Sequence, residues 1–280
     1  MADGRLLVCA TPIGNLGDVT LRVLDALRDA DLIAAEDTRI TRRLLDRYDI
    51  RTPLEPYHAH NLERRTPALV ERMAAGARVA LVSDAGTPGV SDPGAHLVDA
   101  CLSAGVPVEV FPGPSAIVAA LVASGLPTHA FYFGGFLPRK AGERRQRLAS
   151  LASLDATLVF YESPRRAAAT LESLAEALPG RDAAMARELT KIHEEVVRGP
   201  VADLAEELAG RELKGEVVLL VGPPARGAGR VTLDPEAVRA RVAEVEAGGA
   251  SRSAAVRQVA AELGASRNEV YRIAHEPVGE

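Results

Sequence analysis

From Leu6 to about Gly222, short aliphatic runs alternate with longer amphipathic stretches, and few folds accept that alternation. Leu6–Ala10, Leu32–Ala35, Arg78–Val82 and Val106–Phe111 are strand candidates, each bounded by Gly, Pro or Asp. Between them Leu21–Arg28, Leu69–Ala75 and Leu97–Ala104 carry helical periodicity. A strand that must reach its neighbour through a helix lies parallel to it, so the first half predicts an α/β layer with a largely parallel sheet.

The second half changes texture. Phe131–Phe133, Thr157–Tyr161, Ala183–Arg187, Glu195–Arg198 and Glu216–Val221 read as strands, with helices at Pro164–Ala177 and Val201–Leu208. The strands around Met185 and Val197 follow each other closely, which predicts an antiparallel or mixed sheet and hence a second α/β domain. The join falls around Gly113–Pro127, and a ligand cleft is expected between the halves. After Gly222 comes a linker, PPARGAGR, and then three helices, Pro235–Ala247, Arg252–Leu263 and Ser266–Ala274. Gly264 supplies a helix stop and Ser266 a new N-cap, so the tail resembles a helix-turn-helix. A plain helical hairpin would expose Arg267, Asn268, Tyr271 and Arg272 equally well. Residues 1–115, 116–224 and 231–280 are thus the expected domains, a division that 280 residues can sustain.

Aromatic residues make up only 4% and Trp is absent, so aliphatic side chains must fill the cores. A net charge of −5 excludes a polycation that coats nucleic acid indiscriminately, and leaves local clusters to make any such contact. Lys occurs only at Lys140, Lys191 and Lys214, so the rest of the 33 basic residues are Arg. Cys9 and Cys101 sit in apolar runs without metal or redox spacing and read as buried thiols. No signal-peptide pattern and no membrane-length apolar stretch is found, which predicts a cytoplasmic protein without a membrane partner.

Several common sites are excluded. Gly222 and Gly227 have half of a P-loop spacing, but Ala228-Gly229 stands where Lys-Ser/Thr is required. No G-x-G-x-x-G follows the first strand, and there is neither HExxH nor a Cys pair for zinc. His58 and His60 alternate on what reads as an extended stretch, but no third metal ligand accompanies them, and no metal is expected.

Three strand-end loops stand out instead: Ala10-Thr11-Pro12-Ile13-Gly14-Asn15, the twelve residues Ser83–Gly94, and Phe111-Pro112-Gly113-Pro114-Ser115-Ala116. Small and rigid residues at the C-terminal ends of parallel strands let backbone approach a ligand closely, with little loop entropy lost on binding. A tight connection explains one such loop; three in one domain predict a ligand cleft.

ATPIGNLGDVTLR, AEDTR, SDAGTPGVSDPG, FPGPSA, FYESPRR and ELTK followed by EEVVRG occur in this order between Leu6 and Gly222. Together they resemble the tetrapyrrole-methylase superfamily, and within it the branch that methylates a cytidine 2′-oxygen in 16S rRNA. DAGTPGVSDPG with AEDTR carries most of the specificity. The resemblance implies two α/β domains with S-adenosylmethionine in the cleft between them, and a homodimer acting on 16S rRNA or the 30S subunit. It implies that Pro12 borders the cofactor and that Asp84, Ala85, Gly86 and Val90 contact its amino-acid part and ribose. Ser115 and Ala116 would lie against it from the third loop. Tyr161 with Ala186, Glu188 and Leu189 would close it from the second domain. The chemistry agrees: an ammonium and a sulfonium favour a carboxylate such as Asp84, whose alternative role as a turn cap is compatible with this one, and adenine needs an apolar slot.

Basic residues cluster three times: Arg39, Arg42, Arg43 and Arg47 at helical spacing; Arg139, Lys140, Arg144, Arg145 and Arg147; and Arg165 with Arg166. Guanidinium matches phosphate through paired hydrogen bonds, so these are the candidate RNA contacts, although any one cluster also fits a solvated helix face. A ribose hydroxyl needs its proton removed. Glu36 and Asp37 in AEDTR are the first candidates for that base, ahead of Glu162, Glu188 and Lys191. The same two residues also suit a helix cap and its ion pair. A tetrapyrrole C-methyltransferase, sharing the cofactor loops, is the alternative activity, and a ligand-sensing regulator whose tail binds DNA is the non-enzymatic one.

Overall fold

The computed structural model describes residues 4–224, 234–263, 265 and 267–275, without the side chains of 267–269. It forms two compact units, one holding both sheets and ending at Pro223, the other holding the C-terminal helices.

The first half runs β1 (Arg5–Cys9), α1 (Leu21–Asp29), β2 (Leu32–Ala35), α2 (Thr38–Arg47), β3 (Leu54–Pro56), α3 (Leu62–Ala74), β4 (Arg78–Val82), α4 (Gly94–Ser103) and β5 (Val108–Phe111). Its five strands are parallel, in the order β3-β2-β4-β1-β5. Side chains alternate across a strand, so Leu7, Cys9, Ile33, Ala35, Ala80 and Val82 pack with α1 and α2. Leu6, Val8, Leu32, Ala34, Val79 and Leu81 face the other way and pack with α3 and α4. Both faces are covered, which is why the strands read as unbroken apolar runs. Cys9 and Cys101 are buried free thiols, and burial pushes Cys9 up to about 12.

Two features of this half depart from the sequence expectation. β3 is a strand without a sequence pattern: it is three residues long, ends on Pro56 and lies at the sheet edge, where proline is tolerated. The stretch carrying His58 and His60 is not extended but turns into α3. Asn61 makes the turn, its side chain accepting from the His58 N–H and donating to the Pro56 carbonyl.

The second half runs α5 (Ala116–Ser124), β6 (Phe131–Phe136), α6 (Ala141–Leu151), β7 (Thr157–Glu162), α7 (Ala167–Ala177), β8 (Asp182–Arg187), β9 (Glu195–Pro200), α8 (Val201–Leu208) and β10 (Val217–Val221). The sheet order is β6-β7-β10-β8-β9, with β6 parallel to β7 and every other pair antiparallel, a mixed sheet. β8 and β9 are the closely connected antiparallel pair. β6 continues past Phe133 to Phe136 through an irregularity at Gly134, where a Cβ would lie 2.4 Å from a Phe160 ring carbon.

The C-terminal unit is three helices, α9 (Pro235–Ala247), α10 (Arg252–Glu262) and α11 (Arg267–His275). Asp234 and Ser251 cap the first two through their side chains, and Val238, Val242, Val256, Val259, Val270 and Ile273 form the core. Tyr271 is exposed and stacks on His275 at 3.8 Å. The expected stop at Gly264, the cap at Ser266, the side chains of Arg267 and Asn268, and most of the linker lie outside the described residues. Among the described residues no helix is long and apolar enough to cross a membrane.

Candidate functional site

The loops after β1, β4 and β5 meet at one glycine. Thr11 and Gly86 exchange backbone hydrogen bonds of 2.8 and 3.0 Å, and the Thr11 hydroxyl donates to the Ser83 carbonyl at 3.1 Å. Gly86 has φ +78°, a left-handed conformation, and its α-carbon faces Ile13 of the first loop and the Pro114 carbonyl of the third. Gly113 packs so closely on Ala10 that a Cβ would stand 2.9 Å from the alanine's own. The long loop is braced from within: Asp92 Oδ1 accepts from the N–H groups of Gly89 and Gly94, at 2.8 and 2.7 Å. These bonds make the three loops one rigid crest at the C-terminal edge of the parallel sheet.

Within it Pro12 and Gly86 are buried, Asp84 and Ser115 are partly buried, and Ala85 and Val90 are exposed. Ser115 occupies the N-cap position of α5 but makes no capping bond with its side chain, so its hydroxyl is not committed to the helix. Asp84 Oδ1 accepts from the Asp37 N–H at 2.9 Å, which fastens AEDTR to the long loop.

The second half contributes one wall. Tyr161, Val218, Ala186 and Val196 stand in register across β7, β10, β8 and β9 and therefore share a face. They join an apolar cluster that also holds Ile13, Ala116, Leu121 and Leu189. Ala116, Tyr161, Ala186 and Leu189, far apart in sequence, are thus brought together. Tyr161 is held edge-on by Phe133 and Phe136, with ring centres 4.9 and 5.8 Å away, and burial pushes its phenol up.

Leu189 rides a turn in which both neighbours, Glu188 at φ +51° and Thr190 at φ +67°, are left-handed. Such geometry costs on the order of 1–3 kcal/mol per residue and persists only where the surroundings impose it. Here the Glu188 carboxylate accepts from Lys191 Nζ at 2.8 Å and from the Glu216 N–H at 3.1 Å, and Lys191 holds it below the usual carboxylate range. Glu188 therefore braces the turn through its Oε1. Gly14 presses on this turn: a Cβ there would lie 2.6 Å from Lys191 Cγ and 2.7 Å from the Leu189 carbonyl.

The two AEDTR carboxylates separate cleanly. Asp37 caps α2 by accepting from the Arg39 N–H and grips the Arg39 guanidinium, which lowers it to about 2. A carboxylate so acidic is a poor proton acceptor. Glu36 is half-buried and raised above the ordinary range, first by burial and then by the negative charge of Asp84. Asp84 is raised as well, mainly by burial.

The basic clusters also sort. Arg39 and Arg42 line a groove of about 370 Å³ with Thr38, Leu54 and Pro56, beside AEDTR. Arg43, Arg139, Lys140, Arg145, Arg147 and Arg165 are exposed. Arg144 and Arg166 are instead turned into the protein, the first buried and the second partly so. Arg144 is 8% exposed and donates to Ser173 Oγ at 2.9 Å and to the Arg139 carbonyl at 3.3 Å. Arg166 pairs with the buried Glu162 at 3.1 Å and donates to the Leu137 carbonyl at 2.7 Å. Their spacing on the chain matches that of the exposed arginines, and only packing distinguishes them. Conversely, no individual sequence signal marks Thr11, Ile13 or Gly14, which build the crest together with Asp92. For Asp92 the Asp-Pro-Gly run is a recognisable turn signal that points to its bracing role.

Two α/β halves, with strand-end loops of the first facing a mixed sheet of the second, define a class of methylases. The chain belongs to the Tetrapyrrole (Corrin/Porphyrin) Methylases, whose family model matches residues 5–205. It is 52% identical over 223 residues to a ribosomal RNA small subunit methyltransferase I of Mesorhizobium japonicum, covering 79% of this chain and 76% of the relative. A protein of the same name from Halalkalibacterium halodurans is 43% identical over 280 residues, with 98% and 95% covered. Among solved structures the methyltransferase CobJ is 27% identical with TM-score 0.61, covering 79% of this chain and 95% of that one. A uroporphyrin-III C-methyltransferase from Thermus thermophilus, solved in complex with S-adenyl homocysteine, shares the fold at TM-score 0.56 and 23% identity, covering 80% and 100%.

Proposed function

We propose that the chain transfers a methyl group from S-adenosylmethionine to the 2′-oxygen of a cytidine in small-subunit rRNA, at the decoding region. The observation that carries the reading is the fused crest around Gly86 facing the cluster of Ala116, Tyr161, Ala186 and Leu189. Asp84 adds a carboxylate beside the crest, and the cluster an apolar face, which suit the charged and the adenine ends of the cofactor. The relatives named for ribosomal RNA, and a neighbour solved with the demethylated cofactor, support the same choice.

In this reading the cofactor supplies an electrophilic methyl on a sulfonium, a leaving group that departs neutral. Asp84 and backbone of the long loop hold the amino-acid part and ribose; Pro12, Val90, Ser115, Ala116 and Leu189 flank the rest. Glu36 would hold the proton that the ribose hydroxyl gives up on methylation. Its raised affinity for a proton, imposed by burial beside Asp84, suits it to that step, whereas Asp37 orients α2. Arg39 and Arg42, lining the groove beside AEDTR, receive phosphate of the substrate strand.

Labelled S-adenosylmethionine incubated with the protein and 30S particles, naked 16S rRNA or a porphyrinoid tests the proposal. Label recovered in a 2′-O-methylated cytidine is the expected result. Label in the porphyrinoid alone would replace the reading with a tetrapyrrole C-methyltransferase.

A homodimer completes the proposal. Val118 and Val122 of α5 lie one helical turn apart, 53% and 69% exposed, an apolar stripe suited to a second copy. Val122→Asp is expected to shift the protein from dimer to monomer in light scattering. An unchanged mass would place any dimer interface elsewhere.

A further inference from the structure

The two inward-turned arginines, Arg144 and Arg166, converge on one segment. Glu162, whose side chain is fully buried, accepts from the Ser163 N–H and the Thr170 hydroxyl, each at 2.7 Å, and pairs with Arg166. Arg166 Nη2 then donates to the carbonyls of Leu137 and Pro138, at 2.7 and 3.5 Å. Arg144, anchored on Ser173 of α7, reaches the carbonyls of Pro138 and Arg139, at 3.5 and 3.3 Å. Three successive carbonyls at the end of β6 are therefore gripped by two guanidiniums that α6 and α7 keep in place. Carbonyls with fixed donors fix the backbone, and the side chains that follow, Arg139 and Lys140, are exposed. Arg145 and Arg147 come next on α6, Arg147 bonding the Tyr132 hydroxyl. Lys140 pairs with Glu143 at 3.0 Å on the surface, where a phosphate can displace the carboxylate.

We propose that Glu162, Arg166 and Arg144 form a bracket that presets the 137–140 turn, so that Arg139 and Lys140 meet the phosphate backbone of the RNA without having to be ordered on binding. The proposal rests on the rRNA reading above and assigns positioning roles to residues that touch no substrate. Ordering such a segment at the moment of binding would weaken the complex, and the bracket removes that cost.

The test measures binding of 30S particles over a range of salt, with S-adenosylhomocysteine affinity as the check that the cleft is intact. Arg139→Ala/Lys140→Ala is expected to make the salt dependence shallower, by about 0.7–0.9 in log–log slope for each phosphate no longer neutralised. Arg166→Lys keeps a cation beside Glu162 but moves the donor away from the place where Nη2 meets the Leu137 and Pro138 carbonyls, and is expected to weaken RNA binding about tenfold with the cofactor unaffected. The decisive comparison introduces Arg166→Lys on the Arg139→Ala/Lys140→Ala background. If the bracket acts through those cations, no further weakening follows. An equal weakening on both backgrounds, or none on either, overturns the proposal. If Arg166→Lys fails to fold, Ser173→Ala, which releases only Arg144, enters the same comparison and is read in the same way. Failure of the underlying rRNA reading is seen separately, as an unsubstituted protein that binds cofactor but not 30S particles.

Discussion

Glu36→Gln is expected to slow methyl transfer by about 10²–10⁴-fold, the range a positioned base contributes, while cofactor affinity stays near its original value. The amide retains the shape of the side chain but cannot take the proton of the ribose hydroxyl. Asp37→Asn is the contrast: its carboxylate is already committed to Arg39 and to capping α2, so the rate should change far less. Single-turnover measurement with 30S particles separates the two. A Glu36→Gln variant within a few-fold of the parent would remove Glu36 from the chemistry. Burial and Asp84 raise Glu36, so the parent's rate should climb with pH over a range displaced upward from the ordinary Glu value of about 4.3. Stability should move oppositely. A carboxyl that binds its proton more tightly when folded stabilises the fold at low pH, and that contribution is lost as pH rises through the folded value. The glutamine variant should therefore melt higher than the parent at neutral pH, with the difference vanishing in acid.

Gly14→Val is expected to weaken cofactor binding about 5- to 150-fold in calorimetry, with the first sheet remaining folded. A Cβ at Gly14 meets Lys191 Cγ, the Leu189 carbonyl and Thr190 Oγ1 all within 2.8 Å, in a turn that is already left-handed at both Glu188 and Thr190. That turn is braced by Lys191, Glu188 and Glu216 and cannot retreat without breaking ion pairs. The first loop must move instead, at a cost of about 1–3 kcal/mol, carrying Pro12 and Ile13 away from the apolar slot. Retention of full affinity would mean that the first loop does not border the cofactor.

Much of this architecture was legible in the sequence because it rests on local physics. Strands buried on both faces announce themselves as unbroken aliphatic runs, and the parallel sheet and the mixed sheet follow from the lengths of the connections. β3 escaped because an edge strand of three residues, flanked by prolines, has no pattern to show. The crest was legible as three glycine- and proline-rich loops, but that all three close on Gly86 depends on bonds between residues remote in sequence. The arginines mark the limit most clearly. Arg144 and Arg145 are neighbours of identical chemistry, yet the helix turns one toward Ser173 and the other toward water. Glu36 and Asp37 divide in the same way, since only the fold decides which carboxylate finds Arg39 and which lies beside Asp84.

The reciprocal pair of hydrogen bonds between Thr11 and Gly86 also bears on how a ligand would enter. Stitched together in this way, the loops after β1 and β4 cannot swing aside one at a time, and parting them together would expose Ile13 and break the seam. In the reading proposed above, entry and exit would then require that seam and the braced Leu189 turn to part as whole units, since neither side offers a single loop that swings free. The speed of turnover would then be governed by that joint parting, not by any flap on the parallel sheet.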